Sequence, residues 1–197
     1  MPLNALISTV STAVISGFFL LGMAMPLAVR AQGNPLGLNA EEIRLILRHG
    51  PWPAPWQRDV SNRVSGKPAA IAFGEQLFFE SRLSITGTVS CATCHVPEKN
   101  WADGRKLGLA LAEVDRNTPS VLNVRYQRWF GWDGANDSLW SQSVRPLLDA
   151  REMGASESHV AQRLRGDAAL SCGYRQAFGH APAADDEALM MDIGKAL

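Results

Sequence analysis

Apolar residues in this chain fall into one long opening run and several later stretches with helical spacing, separated by Gly- and Pro-rich segments. From Ala5 to Val29 no side chain is charged, and the run ends at Val29-Arg30-Ala31-Gln32. Small residues at Val29 and Ala31 have the spacing a signal peptidase reads, which predicts an export signal over residues 1–31 with cleavage after Ala31. Left uncleaved, a run of this length would anchor the chain in a membrane. Gly17, Gly22 and Pro26 interrupt it and favour cleavage, although no Lys or Arg precedes it.

Beyond a short tether, Asn39-Ala40-Glu41-Glu42 reads as a capping box opening a helix that carries Ile43, Leu45, Ile46 and Leu47 and ends at Gly50. The prolines of Gly50 to Trp56 forbid helix and favour an extended path, so residues 32–67 are expected to form an N-terminal helix and a Pro/Trp-rich linker. A second helix is expected from Pro68, as its first residue, to Glu80, with Ile71, Leu77 and Phe78 toward the core. Ser81 to Gly134 has little periodicity, and such a stretch inside a domain is usually functional or wrapped around something. Helical spacing resumes over 138–148, 156–165 and 170–178. A last helix opens at Asp185 or Asp186 and places Leu189, Ile193 and Leu197 on one face. No period-2 strand is visible. The expected fold is all-α with long irregular loops and a core too loop-rich to close without help. The chain stops on that apolar face without a Gly cap or a Pro stop, so it is expected to be part of a longer protein.

Composition narrows the function. Nineteen Lys+Arg balance nineteen Asp+Glu, which excludes a nucleic-acid binder held by a basic face. At 46% hydrophobic content the chain can build a core and is not a charged disordered segment. Three cysteines are too few for a disulfide scaffold, and six Trp stand against two Tyr.

The strongest chemical signal is Cys91-Ala92-Thr93-Cys94-His95. Two thiols at this spacing add to the vinyl groups of one haem, and the adjacent His supplies the proximal nitrogen to iron. A zinc site would need a second ligand pair, whereas Cys172 stands alone; a thioredoxin-like pair would need a βαβ setting. One covalent haem c is therefore expected. It would supply the missing core and account for part of the Trp excess, since indoles pack well on a macrocycle. Met153, His159, His180, Met190 and Met191 are candidate sixth ligands, and no local pattern selects among them.

Around this motif, a series of short segments follows in order: Phe73-Gly74-Glu75-Gln76-Leu77-Phe78-Phe79, Leu83-Ser84, Ser90 to His95, Ala102-Asp103-Gly104-Arg105 and Arg116-Asn117-Thr118-Pro119-Ser120. Trp132-Asp133-Gly134, Ser138-Leu139-Trp140-Ser141-Gln142 and Arg151-Glu152-Met153-Gly154 complete it. The stretch from Phe73 to Gly154 resembles the bacterial di-haem cytochrome c peroxidase family, including its methylamine-utilisation branch. The resemblance implies a c-type cytochrome-like haem domain over residues 68–197, the N-terminal half of such an enzyme. His95 would be the proximal ligand of the haem that meets peroxide, and Glu152 the distal acid/base. Gln142 would orient peroxide, Trp132 would lie between two haems as an electron relay, and Pro146 would line the distal side. Asn117 matches a ligand of an inter-haem calcium ion, whose preference is for oxygen donors.

Two departures qualify the match. Where classical members place a distal His, eight residues before Asn117, this chain has Leu109, which cannot ligate iron. The expected haem is therefore five-coordinate or water-ligated, as in the methylamine-utilisation branch. A second C-x-x-C-H is also absent, so a second haem domain is expected to be missing from this chain. The resemblance implies a periplasmic haem oxidoreductase that reduces hydrogen peroxide with electrons from a redox protein, a small cytochrome c or a cupredoxin. Two alternatives stand beside it: an enzyme oxidising side chains of a partner protein, as in the methylamine-utilisation branch, and a non-catalytic mono-haem electron carrier.

Overall fold

A computed structural model describes residues 35–50, 55 and 57–197. The expected export signal and most of the Pro/Trp-rich run, with Trp52 and Trp56, lie outside the described residues. Among the described residues no helix is long and apolar enough to cross a membrane.

The first unit contains helix α1 (Ala40–Leu47). Its capping box forms as the sequence predicts: Glu42 N–H donates to Asn39 Oδ1 at 2.9 Å and Asn39 N–H to Glu42 Oε2 at 2.8 Å.

The second unit carries α2 (Pro68–Phe78), α3 (Cys91–Cys94), α4 (Leu139–Leu148), α5 (Glu157–Gly166), α6 (Ala168–Phe178) and α7 (Asp186–Ala196). No strand forms among the described residues; only the isolated bridges Leu109–Glu113 and Phe130–Asn136 occur. The fold is all-α, and α2, α4, α5 and α7 start within a residue of expectation, whereas α6 starts at Ala168, two residues before the expected 170, because Asp167 caps it. Pro68 opens α2, where a missing N–H costs nothing. Ser156, Asp167 and Asp185 accept backbone N–H bonds at the starts of α5, α6 and α7.

The core differs from expectation at two points. Ile71 is exposed, and the buried stripe of α2 is Ala70, Phe73, Gly74 and Leu77, at i, i+3, i+4 and i+7. Ile71 lies about 100° round the helix from Ala70, off that stripe. The helical part also closes its own core without help. α2 packs on α6 and α7, α4 on α7, and α5 on both α6 and α7. Phe73 meets Tyr174 and Phe178 edge-on at centroid separations of 6.1 and 6.5 Å, and Leu77, Leu147, Leu164, Leu170, Leu189 and Ile193 are fully buried around them. Gly74 is required because a Cβ there would collide with the Ala196 carbonyl, which allows α2 and α7 to touch backbone to backbone.

A polar clasp holds the segment before α2. Asp192 on α7 is buried and takes Arg63 on Oδ1 and the Tyr174 hydroxyl on Oδ2, both at 2.6 Å. Its charge is thus paired and hydrogen-bonded, the condition under which burying it is tolerable. Leu83, Val89 and Met153 insert from the loops into the same core, which ties the long irregular stretch to the helical scaffold.

Candidate functional site

The site is built on α3. Ser90 N–H donates to Thr93 Oγ1 at 2.9 Å and Thr93 N–H to the Ser90 carbonyl at 3.0 Å, which starts the turn. A single helical turn puts residues three apart on one face, so the thiols of Cys91 and Cys94 project together. Both are free and half-buried. Burial pushes the Cys91 thiol up to about 12 and the Cys94 thiol up to about 11, and the nearby Glu152 carboxylate adds to both. Without a partner these groups are neutral thiols.

His95 caps the turn, its N–H donating to the Cys91 carbonyl at 2.9 Å. Its Nδ1 lies 3.2 Å from the Trp101 carbonyl oxygen. A carbonyl only accepts, so Nδ1 carries the proton and Nε2 keeps its lone pair, the arrangement a metal-ligating imidazole needs. Burial lowers the His95 pKa, while the Trp101 and Pro119 carbonyls and the Asp103 charge act the other way. A neutral, ligating ring is thus favoured. Trp101 holds this carbonyl from a left-handed conformation (φ 60°), which a bulky residue adopts only at a cost. Phe78 packs against both rings, 6.3 Å from His95 and 5.8 Å from Trp101.

Facing the cysteine turn is the loop from Asp149 to Gly154. Gly154 closes it at φ 61°, with its N–H on the Asp149 carbonyl at 2.9 Å. The segment 109–112 lies between loop and turn: the Cys94 thiol donates to the Leu109 carbonyl at 3.6 Å, Leu111 N–H to Glu152 at 3.3 Å and Ala112 N–H to Arg151 at 2.8 Å. These bonds bring Glu152 beside the motif, which explains why its charge is felt by both thiols. Burial raises the Glu152 pKa above 4.5, and Asp149 adds to the rise, against opposing pulls from Arg145 and Arg151. Such a group keeps and exchanges a proton nearer neutrality than an ordinary Glu.

Gln142 and Pro146 sit one turn apart on α4, both half-buried. Proline has no N–H, so position 146 cannot donate to the Gln142 carbonyl. The Gln142 side chain is oriented by Asn136, whose Nδ2 donates to its Oε1 at 2.8 Å while Asn136 Oδ1 accepts from Ser141 at 2.9 Å. The Pro146 carbonyl takes the N–H of Met153 at 3.0 Å, which links α4 directly to the Glu152 loop. Exposed Trp132 and Asn117 are brought together by a bond from the indole N–H to the Asn117 main-chain carbonyl at 2.9 Å.

Most of the candidate sixth ligands are engaged elsewhere. Met153 and Met190 are buried in the core, His159 Nε2 lies at the carbonyls of Arg82 and Ser84, and His180 packs on Tyr174. Among the described residues no three His, Cys, Asp or Glu side chains gather around a metal position. The expected calcium ion therefore has only Asn117 to point to it.

The donor set fits a covalent haem c: two unpaired thiols on one face and an imidazole with its tautomer fixed. Sequence reasoning missed the roles of Trp101, Asp103 and Asn136. Asn136 sits in a short polar run that looks like any helix lead-in, and no local pattern marks a carbonyl donor such as Trp101.

A family described as di-haem cytochrome c peroxidase matches residues 68–197. The methylamine utilization protein MauG of Methylorubrum extorquens is 42% identical over 114 residues, covering 57% of this chain and 32% of that protein. The cytochrome-c peroxidase IdrP2 of Pseudomonas sp. is 48% identical over 98 residues, covering 49% of this chain and 25% of its own length. Among solved structures, a MauG-like protein associated with microbial copper homeostasis superposes with a TM-score of 0.64 at 30% identity, over 74% of this chain and 44% of that one. The diheme peroxidase BthA of Burkholderia thailandensis superposes with a TM-score of 0.60 at 27% identity, over 73% and 38%. The chain thus spans less than half the length of each of these relatives.

Proposed function

This chain belongs to the di-haem cytochrome c peroxidase family, and from that premise we propose that it forms the peroxide-reacting half of a periplasmic haem c peroxidase. The net reaction takes hydrogen peroxide, two electrons and two protons to two waters. The electrons come from an external redox protein, a small cytochrome c or a cupredoxin, by way of a second haem domain beyond this chain. A haem held by Cys91, Cys94 and His95 supplies the iron redox chemistry. The chain's own residues supply the proton handling and the geometry. Glu152 accepts a proton from the near peroxide oxygen and returns it to the departing one, which splits the O–O bond unevenly. Gln142, held by Asn136, orients peroxide, and Pro146 shapes the wall between them. Trp132 relays electrons, and Asn117 contributes an oxygen to calcium.

The observation that carries this reading is the placement of Glu152. Its half-buried carboxyl lies beside both thiols of the cysteine turn, with its pKa raised by burial. The test is Glu152→Gln in the haem-loaded protein, with peroxide reaction followed optically. A loss of about 10²–10⁴-fold with unchanged haem content is expected for a removed acid/base. An unchanged rate would remove the role of Glu152, whereas a six-coordinate haem indifferent to peroxide and carbon monoxide would make this half an electron carrier.

A second reading rests on Leu109, which stands where classical members have a ligating His. An iron position open without reductive activation supports a methylamine-utilisation-type role, in which a partner protein's side chains are oxidised. A ferric spectrum of low-spin bis-His type would remove that support.

A further inference from the structure

Asp103 is a buried carboxylate that the peroxide chemistry does not use. Its residue is 6% exposed. Oδ1 accepts the Arg105 N–H at 3.0 Å, whereas Oδ2 is enclosed and has no hydrogen-bond partner among the described residues. Buried polar atoms are almost always paired, because removing them from water unpaired is costly. The turn to Arg105 uses one oxygen and leaves the other unexplained.

The loop around Asp103 is folded onto the proximal ligand. Trp101, two residues earlier, presents its carbonyl to His95 Nδ1 at 3.2 Å, and its own N–H returns to the Val96 carbonyl at 2.9 Å. Ala102 N–H donates to the Lys99 carbonyl at 3.3 Å, and Lys99 Nζ donates to the Asp103 carbonyl at 3.2 Å, which ties the 99–103 loop together. The Asp103 charge is felt at both His95 and Cys94, on which it acts in the same sense. Among the described residues no cation pairs with its side chain.

We propose that Asp103 is a positioning charge for the haem held by His95: its unpaired, buried carboxylate stabilises the oxidised iron and sets a low ferric/ferrous potential. The inference rests on haem attachment at Cys91 and Cys94. Enclosure keeps solvent from screening the charge, and the shared loop fixes its position relative to the ligand. A low potential suits a peroxide-reacting centre, whose task is to hold oxidising equivalents rather than to pass single electrons at rest.

The test is redox titration of the haem-loaded protein with Asp103→Asn, Asp103→Ser and Asp103→Glu. Asparagine keeps the acceptor for Arg105 and removes only the charge. The ferric/ferrous equilibrium should shift toward ferrous by about tenfold, an upward move of about 59 mV for one electron. Serine should act alike, and glutamate should restore the wild-type value. Either neutral variant with an intact haem spectrum suffices: an unmoved potential overturns the proposal, as does a glutamate variant that behaves like asparagine. A wild-type chain that carries no covalent haem, seen as the absence of bound haem after denaturation, sinks the attachment reading instead.

Discussion

The indole N–H of Trp132 donates to the main-chain carbonyl of Asn117 at 2.9 Å. Two residues with separate expected roles, electron relay and calcium ligand, are thereby parts of one surface contact between loops. Trp132 is 60% exposed, so the bond stabilises the fold by no more than about 1 kcal/mol. Trp132→Phe keeps an aromatic ring and deletes the donor. If Trp132 relays electrons, haem re-reduction by a donor protein should slow about tenfold or more in stopped-flow, with the melting temperature unchanged. A fall in melting temperature with normal re-reduction would make it a loop clasp.

Asn136 is the residue on which the orientation of Gln142 depends. Asn136→Ala removes the 2.8 Å bond to Gln142 Oε1 and leaves that oxygen free to turn. The Michaelis constant for peroxide should rise several-fold. Adding Gln142→Ala should change little more, since the two residues act as a unit. A double-mutant cycle should give a coupling of about 1 kcal/mol. Independent, additive losses would show that Asn136 serves only its bond to Ser141.

Most helix starts and the haem motif are legible in the sequence because each is encoded within a few residues. The Asn39–Glu42 box and Asp185 satisfy free N–H groups locally, Pro68 removes one, and the thiols of Cys91 and Cys94 need only one turn. What escaped depends on contacts across the fold. The buried stripe of α2 is chosen by α6 and α7, so Ile71 reads as core until Phe73 is seen against Tyr174. Trp101 serves through a carbonyl that any residue possesses. The orphaned oxygen of Asp103 is visible only once the loop closes over it. Glu152 was placed by resemblance, and the structure adds the reason for its position: main-chain bonds to Leu111 and Ala112 hold its loop beside the cysteines.

In the haem-free chain the three cysteines should alkylate in a fixed order. Thiolate is the reactive form, and with values of about 12 and 11 Cys91 and Cys94 are almost wholly thiol at pH 8. Iodoacetamide followed by mass spectrometry should modify exposed Cys172 first, then Cys94, then Cys91. Equal rates at all three would mean that the turn is not formed before haem is attached.

Glu152 should make the protein less stable as pH rises. Its folded pKa is raised above 4.5, so between the two values the folded state holds more protons than the unfolded one. The Glu152 contribution to stability is then greatest below pH 4.5, falls as pH climbs through the folded value, and levels off above it. Gln is neutral throughout and escapes this loss. Glu152→Gln should therefore melt at the wild-type temperature at low pH and above it at pH 7, while its reaction with peroxide collapses. Part of the site is exposed, which limits the stability gain. A functional residue bought at a cost in stability leaves this signature, whereas a loop Glu without a role would leave both melting curves and peroxide kinetics alike.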